Sequence, residues 1–218
     1  MARTMSIEAS QLLLLLNWMS PAFPTGAFAY SHGLEWVIED GGVRNADDVR
    51  GWIADLLTRG SGWNDAVIVA RCFEDDVAEL NSLALALASS QERYLETTQL
   101  GQSFSIAARV FVPALRAEDQ IAYPIAAGRA CSAMGVEKPT ALLAFLQGFC
   151  AALVSVGVRL VPLGQTAGLE VLRDLMPVIA ATAGRAARAT LDNLGSACIG
   201  ADIAAMKHET QHSRVFRT

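Results

Sequence analysis

Charge is scarce in this chain. Charged residues make up 18% of its 218 positions against 52% hydrophobic ones, so ordinary solvated surface is in short supply. Such a composition hides part of its apolar area in an oligomer or a permanent partner. The net charge is -5 and no Lys/Arg cluster occurs, which argues against nucleic-acid binding, since that needs a concentrated basic face. Histidine is limited to three positions and cysteine to four, Cys72, Cys131, Cys150 and Cys198. The cysteines are far apart, form no CxxC pair and sit at no metal-ligand spacing from a histidine. They read as buried free thiols in a reducing cytoplasm. No phosphate-cradling glycine string, nucleophile elbow or Cys-His pairing is present, so neither a cofactor nor catalytic machinery is expected. The apolar run Leu12 to Leu16 follows Glu8 and precedes no small-residue cleavage site, unlike a signal peptide.

Alternating apolar runs bounded by hairpin turns are also missing, so strands are not expected. What is present is helical punctuation. Ser6 or Ser10 caps a first helix ending near Asn17, and Ser31 caps a short one through Asp40. Asn45 starts a third, with Asp47 and Asp48 in its first turn where the helix dipole favours negative charge. Gly60-Ser61-Gly62 ends it, and further helices fit Asp65 to about Phe73 and Val77 to Ala88. Ser89-Ser90-Gln91-Glu92 has the capping-box arrangement before a long helix running toward Val112-Pro113. Pro124 suits the first turn of a helix reaching Met134. Pro139 to Val158 holds no charge between Lys138 and Arg159 and is long enough to span a membrane. Gln147, Ser155, Gly148 and Gly157 favour instead a helix at the centre of a soluble domain. Pro162 and Gly164 end it, a helix follows through Leu175, and Pro177 restarts another to about Leu194. The fold class is all-α: one globular domain over 1–200, eight to ten helices around a central apolar one. Behind Gly195 and Gly200, residues 201–218 form a polar tail that orders on a partner.

Two stretches resist this helical reading. Asn17 to Glu35 is too rich in Pro, Gly and aromatic residues for one regular element. Trp18, Phe23, Phe28 and Tyr30 suit either a loop pinned into the core by its rings or a shaped surface that another protein recognises. The second stretch, His208-Glu209-Thr210-Gln211-His212, spells the H-E-x-x-H string of zinc peptidases. That chemistry needs a third ligand, and residues 213–218 contain no His, Asp, Glu or Cys. Weak nickel binding by His208 and His212 is the milder alternative. No tight metal site is expected.

The run Ser20-Pro21-Ala22-Phe23-Pro24-Thr25-Gly26-Ala27-Phe28-Ala29-Tyr30-Ser31-His32-Gly33-Leu34-Glu35 resembles the N-terminal signature of the urease accessory protein F family (UreF). Arg159-Leu-Val-Pro-Leu-Gly-Gln165-Thr and the tail from Asp202 to Thr218 are similar to two further motifs of that family, in the same order. In the tail, Met206, His208, Glu209, Ser213, Arg214 and Phe216 fall within the matching segment, whereas His212 stands where relatives commonly have an aromatic or apolar residue. The resemblance implies a helical scaffold, not an enzyme, that dimerises and binds UreD (UreH in some systems). It further implies recruitment of the GTPase UreG and action on apo-urease, so that nickel enters the active site. Arg159, Arg214 and Arg217 are then candidates to act in trans on GTP hydrolysis. The motif residues Ser20, Pro21, Phe23, Pro24, Gly26, Phe28, Tyr30, Ser31, His32, Gly33, Glu35, Arg159, Gln165 and Asp202, with those of the tail, are the expected partner contacts. The alternatives are a zinc peptidase and a helical oligomer unrelated to urease.

Overall fold

The computed structural model describes residues 7–115 and 120–217, and among them every regular element is helical. α1 (Ala9–Trp18) buries Leu14, Leu15 and Trp18 and leaves Leu12, Leu13 and Leu16 in solvent. Glu8 occupies its N-cap in place of Ser10, and Ser6 lies outside the described residues. α2 (Leu34–Glu39) starts after Gly33 rather than Ser31. α3 (Ala46–Arg59) begins as its sequence dictates, with the Asn45 side chain accepting from the Asp48 N–H at 3.0 Å. One glycine, Gly60, suffices to break it, so α4 (Ser61–Arg71) starts four residues earlier than its polar Ser-Gly lead suggests.

α5 (Val77–Ala86) is capped by Asp76 and α6 (Gln91–Ala108) by Ser90, whose hydroxyl accepts from the Arg93 N–H at 3.1 Å. That register puts Arg93, not Glu92, at the third helical position. Glu92 is thereby released from the expected capping box. α7 (Tyr123–Ala133) carries Pro124 in its first turn.

The charge-poor stretch forms α8 (Lys138–Leu160), which packs against α9, α4, α3, α2 and α7. It is the one described helix long and apolar enough to cross a membrane, and half of its most apolar window is buried inside the protein. α9 runs unbroken from Gly164 to Ala186 with Pro177 inside it, where the sequence suggests two helices. A proline in a helix interior costs roughly 3 kcal/mol. Leu175 and Ile179, buried on the face that continues across it, each return about 1.5–3 kcal/mol against α8 and α3. Packing therefore outweighs the local rule. After a 3-10 turn at Leu191–Asn193 comes α10 (Ile199–His208), and then an irregular strap, 209–217.

Candidate functional site

The signature loop buries some of its rings and leaves one in solvent. Phe23, 7% exposed, lies 5.4 Å from the Phe104 ring, which also meets Trp18 and Tyr123 at 5.7 Å. Tyr30 is buried and its hydroxyl donates to Gln99 Oε1 at 2.9 Å. These rings pin the loop into the core. Phe28, carried on a 3-10 turn (Ala27–Ala29) after left-handed Gly26, is 59% exposed and belongs to the surface. Pro21 and Pro24 are exposed too, and the Ser20 hydroxyl closes the turn by accepting from the Ala22 N–H at 3.2 Å.

The three motif stretches meet at this loop. The Arg217 N–H donates to the Ala29 carbonyl at 2.7 Å, and Arg159 Nη1 reaches the Phe28 carbonyl at 3.4 Å. The Arg159 guanidinium also lies 5.7 Å from the ring of Phe216, which is buried. Gln165 stands exposed in the first turn of α9, lining a cleft of about 370 Å³ with Arg159.

Glu35 is the hub. Although 5% exposed, its carboxylate accepts from the Val215 N–H at 2.7 Å and the Phe216 N–H at 2.8 Å. Oε2 also faces His208 Nε2 at 3.1 Å, while His208 Nδ1 lies 2.7 Å from Glu92 Oε2. Arg214 Nη1 donates to the other oxygen of Glu92 at 2.5 Å. Glu209 accepts from the Gln91 and Glu92 N–H groups at 2.8 and 3.3 Å, where the N-terminus of α6 favours an anion. α10 comes this close because small residues meet: a Cβ on Gly33, at φ 75°, would lie 2.7 Å from the Ala205 nitrogen. The segment read from sequence as a polar tail therefore lies against α2 and α6 in the isolated chain, with His208 fully buried.

A second network lies beneath the loop. Ser31 is fully buried and its hydroxyl accepts from the Glu35 N–H at 3.3 Å. His32, at φ 52°, sets Nε2 2.9 Å from Glu96 Oε1 and Nδ1 3.3 Å from the Ser61 hydroxyl. Burial, then the Arg93 guanidinium, push the imidazole below its usual range and hold it neutral. Burial alone would raise the Glu96 carboxyl, but Arg93 and His32 beside it hold it down at about 2. Asp65 has less help, with Arg93 3.9 Å away, and burial raises its carboxyl to about 6. Glu92, Arg93, Glu96 and Asp65 are absent from the sequence-level candidates. The available signal was that α6 carries all its charge in its first six residues.

The Asp65 environment has a consequence for stability. The folded value is above the unfolded one, so the native state holds the extra proton and stability falls as pH rises from 3.8 to about 6. At neutral and alkaline pH the half-buried carboxylate costs on the order of 2–3 kcal/mol. Asp65→Asn is expected to recover about that much at pH 8 and little at pH 4, read by urea unfolding at both. Equal stability of the two proteins at pH 8 would count against the assignment.

The H-E-x-x-H string does not form its helical face. α10 ends at His208, so Glu209 and Thr210 lie in a turn and His212 is exposed in the strap. Both His208 nitrogens are already engaged, and among the described residues no group of three His, Cys, Asp or Glu side chains is placed to hold a metal. Asp202 accepts from the Ser196 hydroxyl at 3.1 Å and the Ser213 carbonyl from Gln211 at 3.1 Å, so both shape the segment locally. Met206 is 49% exposed, in line with Ile203 at 44% and Ile199 at 69% along the outer side of α10. The four cysteines are free and buried, and burial pushes the thiols of Cys72, Cys131 and Cys150 up to about 12.

Comparison with known proteins agrees with the geometry. The family model described as UreF matches residues 43–176. The chain is 46% identical over 219 residues to the urease accessory protein UreF of Roseobacter denitrificans, covering 98% of this chain and 96% of that one. It is 45% identical over 214 residues to UreF of Brucella ovis, with 95% and 94% covered. UreF of Ruegeria pomeroyi is 44% identical over 213 residues, with 95% and 97% covered. The segment that the family model matches leaves out the signature loop and the tail, whereas the first of these relatives is matched over 98% of this chain.

Proposed function

The chain belongs to the UreF family of urease accessory proteins, and from that premise we propose that it is a docking scaffold for urease maturation, binding UreD (UreH) through α10 and the strap. Together they recruit the GTPase UreG and act on apo-urease in the cytoplasm for nickel insertion, with the scaffold working as a homodimer. The observation that carries this reading is the two-sidedness of α10. Its inner side, Ala204, Ala205 and His208, is buried against the signature loop and α6. Its outer side shows Ile199, Ile203 and Met206 at i, i+4 and i+7, an apolar stripe left in solvent. Such a stripe is what a partner groove takes up, reading anchors at that spacing.

An arginine acting in trans on GTP hydrolysis is a finer proposal. Each candidate has an internal partner: Arg159 has the Phe28 carbonyl, Arg214 has Glu92, and Arg217 the Tyr30 hydroxyl. Such a role requires one of these contacts to open.

The test is capture of UreD together with urease activation in cells lacking their own UreF. Because Ile203 and Met206 touch solvent, Ile203→Glu with Met206→Glu is expected to leave folding within about 0.5 kcal/mol. Loss of two anchors is expected to weaken UreD binding about a hundredfold and to abolish activation. Unchanged capture and full activation by this variant would overturn the assignment of α10. Failure of the unsubstituted chain to support activation would overturn the function itself.

A further inference from the structure

Between α4, α6, the linker 84–89 and the start of α10 lies a cavity of about 270 Å³. At roughly 30 Å³ per water it has room for about nine waters, or for one long side chain. Ile68, Ala84 and Leu87 give it apolar wall, and Asp65, Arg93 and Asp202 bring charge to it. Ala86 and Ser196 at its edge are exposed, so it communicates with solvent.

Three carboxylates share one cation here. Arg93 Nη1 is bound to Glu96 and faces His32, whose ring is neutral. Arg93 Nη2 comes no nearer than 3.9 Å to Asp65 Oδ2, too far for a hydrogen bond. Asp202 is met by the neutral Ser196 hydroxyl at 3.1 Å. Cations on the neighbouring elements are engaged elsewhere, Arg59 with Asp55, Arg185 over the Trp63 ring, Lys207 over that of Trp36 and Arg214 with Glu92. With Glu96 set against Arg93, the cavity at neutral pH keeps the negative charges of Asp65 and Asp202. That excess turns away an anion, and a neutral ligand would leave it in place. Among the described residues no group of three His, Cys, Asp or Glu side chains is placed to hold a metal ion there either.

The cavity also adjoins the apolar stripe of α10. Asp202 stands at i+3 from Ile199 and at i−4 from Met206, which makes both its neighbours on the helix surface. A partner lying on the stripe therefore passes beside the cavity.

We propose that the cavity receives a lysine or arginine side chain of the partner docked on α10, with its charged end against Asp65 and Asp202. Its methylene stem packs on Ile68 and Leu87, as the stems of long basic side chains do on apolar surface. The inference rests on α10 as the docking helix and adds to it what the partner must present. It also accounts for Asp65. A carboxylate that costs the free chain stability becomes a gain once an incoming cation sits beside it, the exchange of stability for function that binding sites make.

Two experiments on the full-length chain test this, one without any partner. Butylammonium, which copies a lysine side chain, is titrated at pH 8 while carbon-13 carboxyl shifts of Asp65 and Asp202 are followed. Saturable shifts at both residues are expected, and none with butanol, which has the stem without the charge. No saturable response to butylammonium, or the same response to butanol, would overturn the proposal. The second experiment measures UreD affinity. Asp65→Asn with Asp202→Asn keeps an oxygen for the Ser196 hydroxyl and removes both charges. Affinity is expected to fall about thirtyfold or more, the effect of leaving an interfacial charge without its counterpart. Asp65→Asn alone is expected to weaken binding while stabilising the fold at pH 8, which a merely structural role would not do. Unchanged affinity in the double variant would overturn the cavity's part. Loss of capture by Ile203→Glu with Met206→Glu would, in that case, leave the role of α10 standing.

Discussion

Glu35→Ala is expected to lower the unfolding free energy by about 3–5 kcal/mol, the usual cost of removing one partner from a buried charged network. The reason is the number of groups that depend on one carboxylate. The Val215 and Phe216 N–H groups and His208 Nε2 all point at it from the strap and α10. A methyl group in its place leaves each without an acceptor, and hydrogen bonds to a charged group are worth about 1.5–3 kcal/mol apiece. Water entering from the strap side recovers part of that, which keeps the total below the simple sum. Glu35→Gln, which keeps acceptor oxygen but not the charge, is expected to lose about half as much. Urea unfolding measures both, with trypsin sensitivity at Arg214 showing whether the strap has lifted. A loss below about 1 kcal/mol for Glu35→Ala, within the range of ordinary surface changes, would mean that Glu35 is no hub.

Gly33→Ala is expected to cost about 3 kcal/mol or more, for two separable reasons. The residue sits at φ 75°, and its new Cβ would lie 2.7 Å from the Ala205 nitrogen and 3.0 Å from the Ala204 Cβ. The first term is conformational, about 1–2 kcal/mol for a residue with a side chain. The second displaces α10 as a body, since the obstacle is backbone and cannot rotate away. Gly26 supplies the control, with φ 80° and nothing within 4 Å of its Cβ. Gly26→Ala is therefore expected to cost the conformational term alone, about 2 kcal/mol less than Gly33→Ala. Equal losses for the two variants would show that α10 does not press on the loop.

Local rules were legible in the sequence wherever a helix end was decided locally. Asn45, Ser90 and Pro124 open α3, α6 and α7 at or beside the positions their chemistry indicates. Pro177 misled because its cost is written in the sequence, whereas the packing of α9 on α8 and α3 is not. Within the tail, His208, Glu209, Arg214 and Phe216 look solvated or loose when read alone. Their counterparts, Glu35 and the start of α6, lie more than a hundred residues upstream, and no local pattern announces a contact across that distance. Alanine hid the rest, since Ala204 and Ala205 suggest little burial until Gly33 is seen beneath them. The site was thus readable as a set of residues, through their resemblance to a family, but not as an arrangement. Asp65, Arg93 and Glu96 escaped even that, because charges near the start of a helix ordinarily read as dipole partners facing solvent.

Site-specific photo-cross-linking tests the shared docking surface most directly. A photoreactive residue is placed in turn at Phe28, Ile203 and Val215, which are 59%, 44% and 71% exposed, and at Val110, 81% exposed just past the far end of α6. At 1.5 Å per residue, Val110 lies about 27 Å along that helix from the strap. With UreD present, cross-links to the same UreD chain are expected from the first three positions and none from Val110. Cross-linking from Val110 with silence at Phe28, Ile203 and Val215 would place the partner elsewhere and contradict the docking role of α10 and the strap.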